Sequence, residues 1–135
     1  MEYPEKVFLE HEEKNEFDLV LLKDSEPVAG AILVPEEDGV LTMEWLFSVE
    51  KGKGFGKKLV RYSLDLARAK GVKRLRAEVM MLSPESLKFF TSMGFEFERF
   101  GFPDPETKKE ISLEDYMKKT SGKARWSWMY LAKRP

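Results

Sequence analysis

An α/β fold is predicted, and three observations predict it. The first half of the chain alternates apolar and polar residues at the period of a strand. Near residue 55 the period lengthens to that of a helix. A second helix start, Ser83-Pro84, and a second glycine stop, Gly94, then sit between two further strand-like runs.

The elements follow in order. Lys6 to His11 reads as a short strand around Val7, Phe8 and Leu9, followed by a polar turn, Glu12 to Glu16. Phe17 to Lys23 is a clearer strand, broken by Asp24-Ser25-Glu26-Pro27. Val28 to Val34 is the third, Pro35 to Gly39 a turn, and Val40 to Ser48 the fourth. From Phe55, residues Leu59, Ser63 and Ala67 fall on one line beside Val60 and Leu64, with Lys57, Lys58, Arg61, Asp65 and Arg68 outward. Gly71 closes this helix in the position of a left-handed cap. Val72 to Leu82 is a fifth strand. Ser83 is the expected N-cap and Pro84 the first helical residue of the next helix, and Phe95 to Phe100 is a sixth strand. In the long segment that follows, Ser112 begins a helix over about 111–119 in which Leu113, Tyr116 and Met117 share a face. A last strand runs from about Trp126 to Leu131, where Trp126, Trp128 and Tyr130 alternate as core-facing aromatics.

With 135 residues, one domain spanning 1–135 with one core is expected. A net charge of −1 lacks the basic excess of a nucleic-acid binder. No apolar run approaches a membrane span and Met1 to Lys6 is no signal peptide, so a cytoplasmic location is expected. Cysteine is absent and His11 is the only histidine, which leaves no thiolate or histidine-rich metal site, and no metal is expected. His11 reads as a solvated hairpin residue. Glutamine is absent and asparagine occurs once, a composition similar to that of thermophile proteins.

The chemistry concentrates in Leu41 to Val60: strand, glycine-rich loop, helix. Glycines let a loop coil with its N–H groups inward, and the helix start adds partial positive charge. Lys51, Lys53, Lys57 and Lys58 add formal charge at the same mouth, so the fitting ligand is a phosphate or pyrophosphate. A tight turn with no ligand would read the same. The nucleoside-triphosphatase loop needs four residues between its glycines and then Gly-Lys-Ser/Thr; Gly52 and Gly56 enclose three, with no hydroxyl following. The dinucleotide fingerprint needs Gly-x-Gly-x-x-Gly, and Gly52-Lys53-Gly54-Phe55-Gly56 closes one residue early.

Lys51-Gly52-Lys53-Gly54-Phe55-Gly56 instead resembles the Arg/Gln-x-x-Gly-x-Gly/Ala signature of the GNAT superfamily of N-acetyltransferases. Ser83 to Phe95 resembles the same superfamily's Asn-x-x-Ala-x-x-Leu/Phe-Tyr-x-x-x-Gly-Phe, about thirty residues downstream. The resemblance covers about 17–100 and the final strand. It implies a mixed, mostly antiparallel central sheet of about six to seven strands flanked by helices. It also implies acetyl-coenzyme A as cosubstrate, bound by Lys51, Gly52, Lys53, Gly54, Phe55, Gly56 and Lys57, by the strand end Leu46, Phe47 and Ser48, and by Ser83, Ser86 and Phe90. A backbone N–H among Leu46, Phe47 and Ser48 would hold the oxyanion.

The chain departs from that pattern. Lys51 replaces a planar Arg or Gln, and Ser48-Val49-Glu50 makes a short link to the loop. Phe90 stands where many members carry a proton-donating tyrosine, which leaves it a packing role. The usual helix pair between the first two strands is missing; the helix over 111–119 would cover the acceptor side instead. By parity Leu41, Met43, Trp45 and Phe47 form an apolar face, and Glu44 is the only charge on the other. A mid-strand carboxylate is costly unless solvated or paired, so Glu44 is the candidate base, with Glu78 (patterned beside Arg76) behind it and Tyr116 and Tyr130 as candidate acids. The acceptor is a primary amine of unread identity; glutamates near the N-terminus would suit a cation. A non-catalytic acyl-coenzyme A sensor is the competing reading, and exposed apolar surface would suit a homodimer.

Overall fold

The computed structural model describes residues 5–10, 16–50, 52–80, 83–121 and 128–135, with 5–10 and Met80 as backbone. The expected positions His11, Lys51 and Trp126 lie outside the described residues. Its elements run β1 (Glu5–Glu10), β2 (Phe17–Lys23), β3 (Glu26–Glu36), a 3-10 turn (Glu37–Gly39), β4 (Val40–Ser48), α1 (Phe55–Ala69), β5 (Arg74–Met80), α2 (Pro84–Ser92), β6 (Glu96–Pro103), β7 (Glu110–Ile111), α3 (Leu113–Thr120) and β8 (Trp128–Lys133). Setting aside the two-residue β7, seven strands remain, as expected. The chain forms two compact units, residues 1–76 with 133–135, and residues 77–132; β5 runs from one into the other.

In the first unit the strand order is β1-β2-β3-β4-β5, and the pairs up to β4 are antiparallel. Asp24 and Ser25 both have positive φ, 50° and 67°, the conformation of a tight hairpin turn. The turn is therefore shorter than the sequence suggests, and Pro27 already stands in β3 opposite Leu22. α1 packs mainly on β3, then on β4 and β2. It presents Phe55, Leu59, Val60, Leu64 and Ala67 to a sheet face of Leu19, Leu21, Ala29, Ala31 and Leu33, all buried. Burying each large side chain stabilises by roughly 1.5–3 kcal/mol. The helix stops where Gly71, at φ 71°, lets Val72 N–H donate to the Ala67 carbonyl at 2.9 Å.

In the second unit the order is β5-β8-β6-β7, with β6 antiparallel to both β8 and β7. α2 ends in the same way as α1: Gly94 at φ 91° lets Phe95 N–H reach the Phe90 carbonyl at 3.1 Å. β6 runs three residues beyond its expected end because Gly101 lies directly beneath the Trp128 indole, where a Cβ would come within 2.1 Å of the ring. α3 follows its cap: Ser112 Oγ accepts from Asp115 N–H at 3.1 Å. Of the three residues expected to share a face, Tyr116 is buried, its ring 5.2 Å from Phe102, and Leu113 and Met117 are exposed. Nearby, Asp104 is buried, accepts N–H bonds from Glu106 and Thr107, and pairs with Lys119 of α3.

Candidate functional site

β4 is not a regular strand. Ile32 pairs with Trp45 and Leu33 with Met43, so Glu44 is an extra residue: a β-bulge. The bulge corrects the parity reading. Val40, Leu41, Thr42 and Met43 are buried on both sides of the strand, whereas Trp45 and Phe47 are 66% and 59% exposed. A bulge bends its strand and re-aims the side chains around it, so the two-residue period does not run through Glu44. Phe47 lies over Gly30, its cross-strand partner, where an added Cβ would meet the ring at 2.5 Å.

Glu44 keeps solvent access, and its carboxyl is raised above the ordinary 4.5 by partial burial first, then by repulsion from Glu36 and Glu16. The charges of Glu36 and Glu16 thus act on Glu44 at the bulge. A raised carboxyl is a better proton acceptor than an ordinary one.

Beyond Ser48 the chain turns through Gly52 and Gly54, both left-handed, with φ of 82° and 79°. Gly54 is the N-cap of α1, and the first intrahelical bond runs from Lys58 N–H to its carbonyl at 3.1 Å. The amide groups of Phe55, Gly56 and Lys57 therefore have no carbonyl one turn back and open toward the loop. Nothing lies within 4 Å of the Cβ position at either Gly52 or Gly54, so the turn is open on the side a ligand would approach. Lys53 and Lys57 are exposed beside it, and Gly56 is half-buried in the first turn. Phe55 is buried, with Lys23 Nζ 5.5 Å from its ring centre, and anchors the helix start to the sheet. Leu46 is half-buried and Ser48 exposed at the strand end leading into this turn.

The remaining expected positions belong to the second unit. Ser83 is the N-cap residue of α2, but its hydroxyl donates to Ser86 Oγ at 2.8 Å and makes no cap bond. Phe90 is buried, edge-on to Phe89 and Phe95 at 5.1 and 5.2 Å. Glu78 and Tyr130 do meet: the Tyr130 hydroxyl lies 3.4 Å from Glu78 and 3.2 Å from Glu110. Burial, then the Glu78 charge, push the Tyr130 phenol far up, so it stays protonated. Arg99 stacks on that ring at 4.4 Å and forks onto Glu110. Sequence reasoning did not see this four-residue network, because β7, which carries Glu110, is too short to read. Tyr116 is 2% exposed, packed in the core of its unit.

The profile of the Acetyltransferase (GNAT) family matches residues 1–95. A search of curated proteins returns no match. Among solved structures, a GNAT family acetyltransferase from Elizabethkingia anophelis with acetyl-CoA bound superposes at TM-score 0.77 and 11% identity, covering 99% of this chain and all of that one. A Bacillus subtilis acetyltransferase in complex with CoA gives 0.74 and 13%, covering 97% and 99%. An IAA acetyltransferase from Bacillus cereus gives 0.71 and 19%, covering 90% and 79%. At such identities the likeness speaks to the fold, an acyl-CoA N-acyltransferase sheet.

Proposed function

The chain belongs to the GNAT acetyltransferase family, and we propose that it transfers the acetyl group of acetyl-coenzyme A to a primary amine by direct attack on the thioester. The observation that carries this reading is the run of β4 into α1: a bulged strand with a carboxylate at the bulge, two left-handed glycines, and an unencumbered helix start. Relatives of the same fold hold acetyl-CoA or CoA, as their descriptions say.

Each residue then has a task. The open amides of Phe55, Gly56 and Lys57, with Lys53 and the side chain of Lys57, receive the pyrophosphate. Lys51 is assigned to the cofactor by family resemblance alone. The end of β4 (Leu46, Phe47 and Ser48) runs beside the pantetheine, and one of its N–H groups donates a hydrogen bond to the developing oxyanion. Ser83, Ser86 and Phe90 are assigned to the cofactor by family resemblance, Phe90 through packing. Glu44 takes the proton of the incoming ammonium. The neutral amine nitrogen attacks the carbonyl carbon and the C–N bond forms; the nitrogen then gives up a proton to solvent, the C–S bond breaks, and the departing thiolate takes up a proton from solvent. A thiol of ordinary pKa near ~8.5 leaves readily, so the lack of a hydroxyl at Phe90 is tolerable. Holding the two reactants together contributes on the order of 7–11 kcal/mol.

The second reading, a sensor that binds acyl-coenzyme A without turnover, draws on the buried Phe90 in place of a proton donor. Thiol release from acetyl-coenzyme A across a panel of amines, peptides and polyamines separates the two. The protein has no cysteine to add background to a thiol-reactive dye. Amine-dependent release supports the transferase; binding of acetyl-coenzyme A with no release from any amine supports the sensor.

A further inference from the structure

α3 lies beyond the stretch that the family profile matches, so the family does not account for the surface it presents. Its eight residues, Leu113 to Thr120, make little more than two turns. One side is occupied within the chain: Tyr116 is buried with its ring near Phe102, and Lys119 pairs with Asp104. A second side is not. Leu113 and Met117, four residues apart and therefore one turn above the other, are 53% and 44% exposed. Directly after each comes a charge, Glu114 and Lys118, again four residues apart. These two meet at 3.5 Å, with side chains 80% and 72% exposed. The helix is thus patterned twice at one spacing, apolar with apolar on one line and acidic with basic on the next.

We infer that α3 is a self-association element: two copies of the chain lay their α3 helices side by side and antiparallel, Leu113 of one on Met117 of the other. The pattern selects its own reverse. In a twofold antiparallel pair, the residue after Leu113 stands across from the residue after Met117 on the partner. Glu114 therefore faces the partner's Lys118, and Lys118 the partner's Glu114. Both apolar lines are covered by the same contact, and the opposed helix dipoles add to the match. A parallel pair would instead align the dipoles and the like-charged ends, Glu114 and Asp115 in the first turn and Lys118 and Lys119 in the last. A uniformly acidic or basic partner would suit one flanking charge and oppose the other. Burial of Leu113 and Met117 supplies the attraction, and the charges fix its direction and exclude other partners. The contacts of Tyr116 and Lys119 within the chain stay as they are. Two apolar side chains per copy cover far less than the ~800 Å² per partner of a standard stable interface, so the dimer is weak and follows concentration.

The test uses the full chain and sedimentation velocity over a concentration series. The natural protein should pass from monomer to dimer with a Kd on the order of 100 μM. Glu114→Lys and Lys118→Glu each bring like charges face to face across the pair. Either alone should raise the Kd about tenfold or more, an effect that shrinks as salt rises. An equimolar mixture of the two variants should recover the dimer, because each then meets the opposite charge in its partner. A helix merely weakened by losing its own Glu114–Lys118 bridge would not recover on mixing. Met117→Ser leaves both charges in place and should abolish the dimer; circular dichroism and melting curves confirm that each variant folds. Dimerisation restored only in the mixture supports the proposal. A natural protein still monomeric at ~1 mM overturns it. So does a dimer indifferent to Met117→Ser or to both charge reversals, and so do charge variants that stay apart when mixed.

Discussion

Glu44 is where an irregular strand and the chemistry meet. It is an extra residue in a strand, close to two other carboxylates, and partly desolvated. The last two disfavour its charge, so it binds a proton in the folded state at a pH where the unfolded chain has lost it. Stability therefore falls as pH rises through the window above 4.5, and Glu44→Gln should melt higher than the natural protein at neutral pH, the gap closing below that window. The same substitution should lower kcat by about 10²-fold or more while acetyl-coenzyme A affinity holds, and abolish the loss of activity on the acidic side. A variant that melts no higher, or turns over at the natural rate, would deny Glu44 the role of base. Asp104 shows the opposite sign. Its carboxyl is held down to about 2, by Lys119 first and then by two backbone N–H groups. That contribution is complete above the ordinary 3.8 and disappears as pH falls toward about 2. Asp104→Asn should accordingly melt lower at neutral pH, and differential scanning calorimetry should find the difference vanishing in acid.

Among the elements, those bounded by turn chemistry were the most legible. β2 and β4 begin and end where the alternating pattern does, since Asp24-Ser25 and Gly39 adopt the positive φ that their composition suggests. α1 and α2 were equally plain, each closed by a left-handed glycine. Bulges were not legible. An inserted residue leaves no compositional mark, so the strand-period argument placed Trp45 and Phe47 with the buried Leu41 and Met43, and the structure exposes them. β7 escaped because two residues carry no period at all. The glycine loop could be read as an anion site, but the carboxylate trio could not: it assembles from three separate segments of chain. The loop provides the test at this scale. Gly54→Val forces a β-branched residue to φ 79° and puts its side chain into the open mouth. Acetyl-coenzyme A binding should then be lost by calorimetry, and an unchanged affinity would remove the loop from the site.

For the whole molecule, the family profile spans residues 1–95, while β6, β7, α3 and β8 lie beyond it. No helix among the described residues is long and apolar enough to cross a membrane. Binding of acetyl-coenzyme A to the folded chain alone should raise its melting temperature. At a ligand concentration a hundred times Kd the gain is about 2.7 kcal/mol, a shift of several degrees for a chain of this size. Thermal melts should show that shift in the natural protein and not in Gly54→Val; equal shifts in both would relocate the ligand.

The left-handed glycines before α1 also bear on which changes the chain tolerates. At φ of 82° and 79° any L side chain strains the backbone whether or not a ligand is present. A substitution at Gly52 or Gly54 therefore lowers the melting temperature of the ligand-free protein as well as closing the mouth of the loop.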